Sequence, residues 1–427
     1  MKYSDITELI GDTPLLKIDE GVHGVENLEL YVKLEYYNPF GSLKDRVAWN
    51  LLKNDIENIK KEGKTVVESS SGNTAKALQA ITSTRGIPFK TITNRIKIGE
   101  VKDLLIAMGT DIEELPGKSE CPDPNDPDDP LTYIDNLTEG NDMYFRTGQY
   151  TDEKNTEAHR KGTGPEIAED IENVDYFFGG LGTTGSTKGV TQALKERNPE
   201  METIGVVSSS DDFIPGIRTE NEMWEVGLYD KDLYKNIVTV KSSDAIEANL
   251  ELVRKAGVLS GPTTGSQLAA IREYFGEKDL EEKQTAVFLA CDRLEPYMSY
   301  IKKRKPELFG EEKKDLNYDS EEVSEISVEK LNNWLEKQDV LVVDTRSNPA
   351  YRTAHIPGSV NIDSDRLKDL IRTGNPFPDR KIVLVCPTGE ESRKHAALIE
   401  KEGGEAYNLE KGITEWRDQG MPMENTL

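Results

Sequence analysis

Short β-prone runs that each end in a glycine- or hydroxyl-rich turn and then a helical pattern recur through roughly the first 300 residues. That alternation leaves the chain few folds to choose from. The runs lie at 28–34, 65–68, 89–93, 174–178, 203–207 and 285–289. Helical spacing follows at Val47, Ala48, Leu51, Leu52 and Ile56, and again over 75–81, 101–108 and 246–256. Strands alternating with helices predict an α/β fold on parallel, doubly wound sheets. In such a fold the loops after the strand ends gather in one crevice, so the turns carry the functional question.

The first turn is Asn38-Pro39-Phe40-Gly41-Ser42-Leu43-Lys44-Asp45-Arg46. Ser42 can cap the helix, and Lys44 falls in its first turn. The positive helix end and burial both discourage charge on that amine, and a neutral amine is what Schiff-base chemistry needs. A surface lysine at a helix start fits the same residues. The second turn, Ser69-Ser70-Ser71-Gly72-Asn73-Thr74-Ala75, is either an anion site suited to a carboxylate or simply a capped helix start. The third follows an apolar strand and runs Gly179-Gly180-Leu181-Gly182-Thr183-Thr184-Gly185-Ser186-Thr187. It is either a phosphate cradle of backbone N–H groups or a tight turn. Clustered acids at 120–130 suggest calcium, but the interspersed prolines prevent a compact ligand loop, so a solvated acidic loop and no metal are expected.

A chain of 427 residues exceeds one ordinary core, and two domains are expected. Near 302–325 the composition turns charged and loses its apolar period. The expected division is 1–310, an acidic linker at 311–325, and 326–427. Extended, a linker of roughly fifteen residues reaches about 50 Å at most. The last part starts afresh with a helix at 328–335 and strands at 340–344 and 381–385. The second strand runs into Cys386-Pro387-Thr388-Gly389-Glu390-Glu391-Ser392-Arg393, with a helix expected from His395. A cysteine between a strand and a helix start has its thiolate stabilised by N–H groups; a free cysteine ending a core strand is the alternative.

The net charge of −26 argues against nucleic acid and anionic membrane as partners. No apolar run is long enough to cross a bilayer, and the first residues lack a signal-peptide pattern. Cys121, Cys291 and Cys386 are far apart and odd in number, which suits a reducing compartment. A cytoplasmic setting is expected.

Taken together, Asn38 to Arg46, Ser70 to Thr74, Gln149-Tyr150, Gly182 to Ser186 and Gly261 to Gly265 resemble the cysteine synthase branch of fold type II pyridoxal-phosphate enzymes. The resemblance implies that Lys44 bonds the cofactor's aldehyde and that Asn73 meets its ring hydroxyl. It also implies that Gly182, Thr183, Thr184, Gly185 and Ser186 hold the phosphate, and that Ser70, Ser71, Thr74 and Gln149 grip the substrate's α-carboxylate. Residues 326–427 resemble a rhodanese domain through Val343-Asp344-Thr345-Arg346, Tyr351-Arg352-Thr353-Ala354-His355-Ile356-Pro357-Gly358 and the Cys386 loop. That implies sulfur carried on Cys386 as a persulfide. The expected fold is thus a fold type II enzyme of two doubly wound subdomains plus a small rhodanese-like α/β domain.

Three departures qualify the resemblance. Thr184 stands where this branch usually has glycine. The segment Ala290-Cys291-Asp292 replaces the usual Ser or Thr opposite the pyridine nitrogen; Asp292, Cys291 or neither is the partner there. Glu390 and Glu391 oppose thiolate formation and repel thiosulfate, which favours another donor such as a protein persulfide. The implied reaction is β-replacement on an activated serine, with Lys44 as base at Cα and L-cysteine as product. Arg218 either binds the phosphate of O-phosphoserine or is a surface arginine, in which case O-acetylserine is the acceptor. Cystathionine β-synthase, a cysteine β-lyase, and a catalytically silent rhodanese module are the competing functions. A homodimer is implied by the resemblance.

Overall fold

The computed structural model describes residues 2–93, 96–115, 129–210, 212–276, 278, 280–310, 323–337, 340–372, 375–378 and 380–425. Cys121, most of the acidic stretch at 120–130 and most of the expected linker lie outside them. The chain divides into two compact units, with the change between Phe309 and Gly310.

In chain order the first unit forms β1 (Leu15–Ile18), β2 (Leu28–Lys33), β3 (Thr65–Ser69), β4 (Phe89–Thr93), β5 (Asp111–Glu114), β6 (Tyr144–Arg146), β7 (Tyr176–Gly180), β8 (Glu202–Ser208), β9 (Asn236–Val240) and β10 (Gln284–Leu289). Among the described residues these make two sheets, one ordered β1-β2-β10-β7-β8-β9 and the other β5-β4-β3-β6. All pairs are parallel except β1 with β2. Parallel central strands are covered on both faces, and β7 shows it directly. Phe177 packs with Ile167, Val190 and Leu194, while Phe178 packs on the opposite face with Leu268 and Ile271. The smaller sheet has its own core of Ala48, Leu52, Val66, Leu78, Ile81 and Phe89.

The four strands not expected from the sequence in this unit are β1, β5, β6 and β9, and each is a sheet edge. An edge strand has one neighbour and one covered side, so it needs less apolar sequence. The helix expected through Ile56 is two helices, Lys44–Leu52 and Ile56–Glu62, broken at Lys53, Asn54 and Asp55.

The second unit is a parallel sheet ordered β11-β15-β14-β12-β13: β11 (Glu325–Ile326), β12 (Leu341–Asp344), β13 (Val360–Asn361), β14 (Lys381–Val385) and β15 (Glu405–Leu409). Val383 and Val385 face a core with Leu331 and Trp416, and Ile382 and Leu384 face one with Leu367 and Ile399. The helix after Cys386 is Glu390–Lys401, five residues earlier than expected, so its first turn follows the cysteine loop directly. Among the described residues no helix is long and apolar enough to cross a membrane.

Candidate active site

Lys44 opens the Lys44–Leu52 helix from a turn that is stitched to the segment after β10. Gly41 has φ +85°, and a side chain there would press on Arg293. Ser42 Oγ accepts from Lys44 N at 3.2 Å, and Asp45 Oδ2 accepts from Phe40 N at 2.6 Å. Leu43 N donates to Cys291 O at 2.9 Å. The Lys44 side chain ends with Nζ 3.2 Å from Thr183 Oγ1. Burial pushes this amine down to about 8, against the opposing influence of Cys291, Asp292 and Glu68. A lysine poised there is neutral for a useful fraction of time near neutral pH.

The loop after β3 closes on itself. Ser70 Oγ accepts from Gly72 N at 3.3 Å and from Ala75 N at 3.2 Å. Thr74 Oγ1 donates to Gln149 Oε1 at 2.6 Å, and Gln149 Nε2 donates to Ser69 O at 2.7 Å. Ser70, Thr74 and Gln149 therefore come together, while Ser71 is exposed at the tip. Glu68 anchors this corner. Its carboxylate accepts from Ser69 N, Gln149 N and Thr147 Oγ1 at 2.8, 2.9 and 2.6 Å.

The loop after β7 carries Thr184 at φ +60°, a left-handed turn that a threonine adopts only at a cost. The helix Gly185–Lys195 then begins, and its first N–H groups have no carbonyl within the helix to donate to. A Cβ on Gly182 would lie 2.5 Å from Gly216 O, and one on Gly185 would collide with Asn155. Asn155, fully buried, donates to Thr183 Oγ1 at 3.0 Å and to Gln149 O at 2.7 Å, joining this loop to the previous one. The Thr184 hydroxyl is buried without a partner. An unpaired hydroxyl beside free N–H groups at a helix start suits a phosphate, so these residues fit the group expected of them.

Arg218 adjoins the loop after β7. Its N–H donates to Leu181 O at 2.8 Å, and its guanidinium sits 5.2 Å from the centre of the Tyr150 ring. Asp292 is buried and accepts from Asn73 Nδ2 at 2.6 Å. The structure thus gathers Lys44, Ser70, Asn73, Thr74, Gln149, Thr183, Thr184, Arg218 and Asp292 around the two loops. Glu68 and Asn155 are additional members that the sequence reading did not single out. An acid closing a buried strand before an anion-type turn was a signal for Glu68; Asn155 had none.

In the second unit, Cys386 is 2% exposed and its Sγ accepts from Gly389 N at 3.2 Å and Ser392 N at 3.4 Å. Ser392 Oγ is 3.1 Å from Sγ and 2.7 Å from Asn408 Oδ1, so its single proton serves one of them at a time. Glu391 does not stand against the sulfur as an isolated charge. It bonds Lys368 at 2.8 Å and Lys394 at 3.3 Å, and although burial pushes its carboxyl up, those lysines hold it down to about 2. Glu390 is exposed.

Two doubly wound sheets whose strand-end loops converge on a helix-start lysine define a fold type II pyridoxal-phosphate enzyme, here joined to a rhodanese-like domain. The family model described as pyridoxal-phosphate dependent enzyme matches residues 6–292, and the chain belongs to that family. The rhodanese-like domain model matches residues 327–419. Cysteine synthase B of Pseudomonas aeruginosa is 29% identical over 301 residues, covering 70% of this chain and 97% of its own. Cystathionine beta-synthase of Apis mellifera is 27% identical over 313 residues, covering 69% of this chain and 60% of its own. Among solved structures, a hydrogen sulfide-producing enzyme from Fusobacterium nucleatum is 29% identical with a TM-score of 0.61, covering 70% of this chain and 99% of its own. The cofactor of this family is pyridoxal phosphate.

Proposed function

We propose that this protein is a cysteine synthase that makes L-cysteine by β-replacement on O-phosphoserine or O-acetylserine, with sulfur supplied through a persulfide on Cys386. The observation that carries the reading is the pairing, in one chain, of a Lys44 amine set against Thr183 with a Cys386 sulfur cradled by Gly389 and Ser392. Pyridoxal phosphate, when bound, supplies the electron sink for loss of the Cα proton and the Cβ leaving group.

The chain's own groups would do the rest. The 182–186 loop holds the phosphate and Asn73 the ring hydroxyl. Ser70, Ser71, Thr74 and Gln149 fix the substrate carboxylate, which orients the Cα–H bond toward Lys44. Lys44 takes that proton at Nζ, for which the amine must be neutral, and burial keeps it so for part of the time near neutral pH. Arg218 would hold a departing phosphate, its guanidinium oriented by the Tyr150 ring. Sulfur on Cys386 leaves as sulfide when a thiol reductant breaks the persulfide bond. A homodimer is what the family resemblance supports, and the cysteine usage favours a cytoplasmic setting.

The decisive experiment supplies each acceptor with a persulfide donor or with free sulfide. Cys386→Ser is expected to abolish donor-driven cysteine formation and to spare sulfide-driven synthesis. Unchanged donor-driven synthesis would reduce the rhodanese unit to a silent module. Arg218→Ala is expected to raise KM for O-phosphoserine and leave O-acetylserine unaffected. A second reading is favoured by the hydrogen sulfide-producing neighbour: a cysteine β-lyase whose released sulfide attacks a mixed disulfide on Cys386, leaving a persulfide there and expelling the other thiol. Incubation with cysteine alone separates the two, since pyruvate and sulfide released together would overturn the synthase.

A further inference from the structure

Asp292 is 5% exposed, and both of its donors fall on one oxygen. Asn73 Nδ2 donates to Oδ2 at 2.6 Å, and the Tyr297 hydroxyl donates to the same atom. Oδ1 is buried without a partner and points at Gly261, where a Cβ would collide with it. The carboxylate is therefore held sideways, between the start of the Asn73–Ser83 helix and the turn at Glu295–Tyr297.

An ionised carboxylate only accepts hydrogen bonds, whereas an asparagine amide has a donor end and an acceptor end. Facing Asp292, Asn73 can present only its NH2 end, so the carboxylate fixes which way the amide is turned. The same amide also acts on the Tyr297 hydroxyl, so Asn73, Asp292 and Tyr297 form one cluster, and the amide has two hydrogens to divide among its partners. Tyr297, which donates to the same oxygen, fixes the carboxylate in turn. Burial raises the Asp292 carboxyl overall, and Tyr297, the Lys76 charge and Asn73 oppose that rise only in part.

We propose that Asp292 is a positioning residue that, with Tyr297, locks the Asn73 amide to present its remaining N–H to the ring hydroxyl of pyridoxal phosphate, rather than meeting the ring nitrogen itself. This rests on the reading of Asn73 as a cofactor ligand. It also gives Gly261 a role, since only glycine leaves room for the Asp292 rotamer.

A double-mutant cycle tests it, with cofactor-free protein titrated with pyridoxal phosphate and the visible spectrum recorded for each loaded form. Asp292→Asn frees the Asn73 amide to turn and should weaken cofactor binding on the order of tenfold, as for loss of a hydrogen bond to a charged group. In an Asn73→Ala background the same change should cost nothing further. Additive losses, or an absorption shift from Asp292→Asn that persists in the Asn73→Ala background, would place the carboxylate on the cofactor and overturn the positioning role. Wild-type affinity in Asn73→Ala would instead overturn the reading of Asn73. Thermal melting of the cofactor-free variants checks folding. If Asp292→Asn does not fold, Tyr297→Phe enters the same cycle, with the same non-additivity expected and additivity again overturning the role.

Discussion

Arg46 and Glu166 meet fork to fork, with Nη1 2.6 Å from Oε1 and Nη2 2.7 Å from Oε2. The same guanidinium grips Glu35 through Nε at 2.8 Å and Nη2 at 3.0 Å, and Lys33 Nζ lies 2.8 Å from Glu166. Two buried cations thus face two acids, one of them fully buried, and Arg46 stands two residues beyond Lys44 on the same helix.

Removing one charge from this set is expected to cost far more than any surface pair. Glu166→Gln leaves Lys33 and Arg46 against Glu35 alone and should destabilise the first unit by about 3 kcal/mol or more, read by urea unfolding. Burial pushes the Glu166 carboxyl up, but Arg46 and Lys33 hold it down to about 2 from an ordinary 4.5. A depressed carboxyl lends stability that is full above its unfolded value and disappears as pH falls through its folded one. The wild type should therefore lose stability between about pH 4.5 and 2, and Glu166→Gln should lack that component of the loss.

Lys44 gives a pH signature of the opposite kind. Its amine is pushed down to about 8 by burial, so the neutral fraction grows as pH rises through that value. Capture of pyridoxal phosphate by cofactor-free protein, followed by its visible absorption, should accelerate up to about pH 8 and then level off. Lys44→Ala should show no such absorption at any pH.

Gly182 tests the phosphate cradle without touching a polar side chain. A methyl group there would sit 2.5 Å from Gly216 O, which is backbone and cannot swing aside. Gly182→Ala should cost about 1–3 kcal/mol of overpacking, spread between stability and cofactor affinity. Titration with pyridoxal phosphate alongside thermal melting separates the two shares.

Gly389 does the same for the Cys386 loop. It combines φ +86° with contacts of 2.9 Å to Lys411 N and 3.0 Å to Leu409 O for any added Cβ. Gly389→Ala should strain the loop by about 1–3 kcal/mol and pull its N–H away from Cys386. Loss of donor-dependent gain of one sulfur atom, read by intact mass, checks it.

The turns were legible as strand-end loops because each is a contiguous run rich in glycine and hydroxyl residues, although each also fitted a plain helix start or tight turn. Lys44, the 70–74 loop and the 182–186 loop needed only a parallel sheet to bring them together, and the strand–helix alternation supplied that frame. Asn155 could not be found this way. Its importance comes from reaching Gln149 O and Thr183 Oγ1 at once, and no local pattern encodes a bridge. The short edge strands escaped for a related reason, since pairing on one side alone asks little of the residues. Glu391 shows the converse. Its charge was plain in the sequence, but Lys368, 23 positions away, answers it only in the fold.

Strand β2 leads into the Lys44 turn, yet its parallel partner β10 pairs Gln284 with Leu28 and Leu289 with Lys33. The two strands are 256 positions apart (284 − 28), so a growing chain waits a long time to join them. At about 5–20 residues per second, that interval is roughly ten to fifty seconds. Until it ends, the segment that leads to the Lys44 turn has an open edge and the larger sheet cannot close. The enzyme's birth is therefore gated by its last core strand, and β2 is the segment for which a chaperone would have most to shelter.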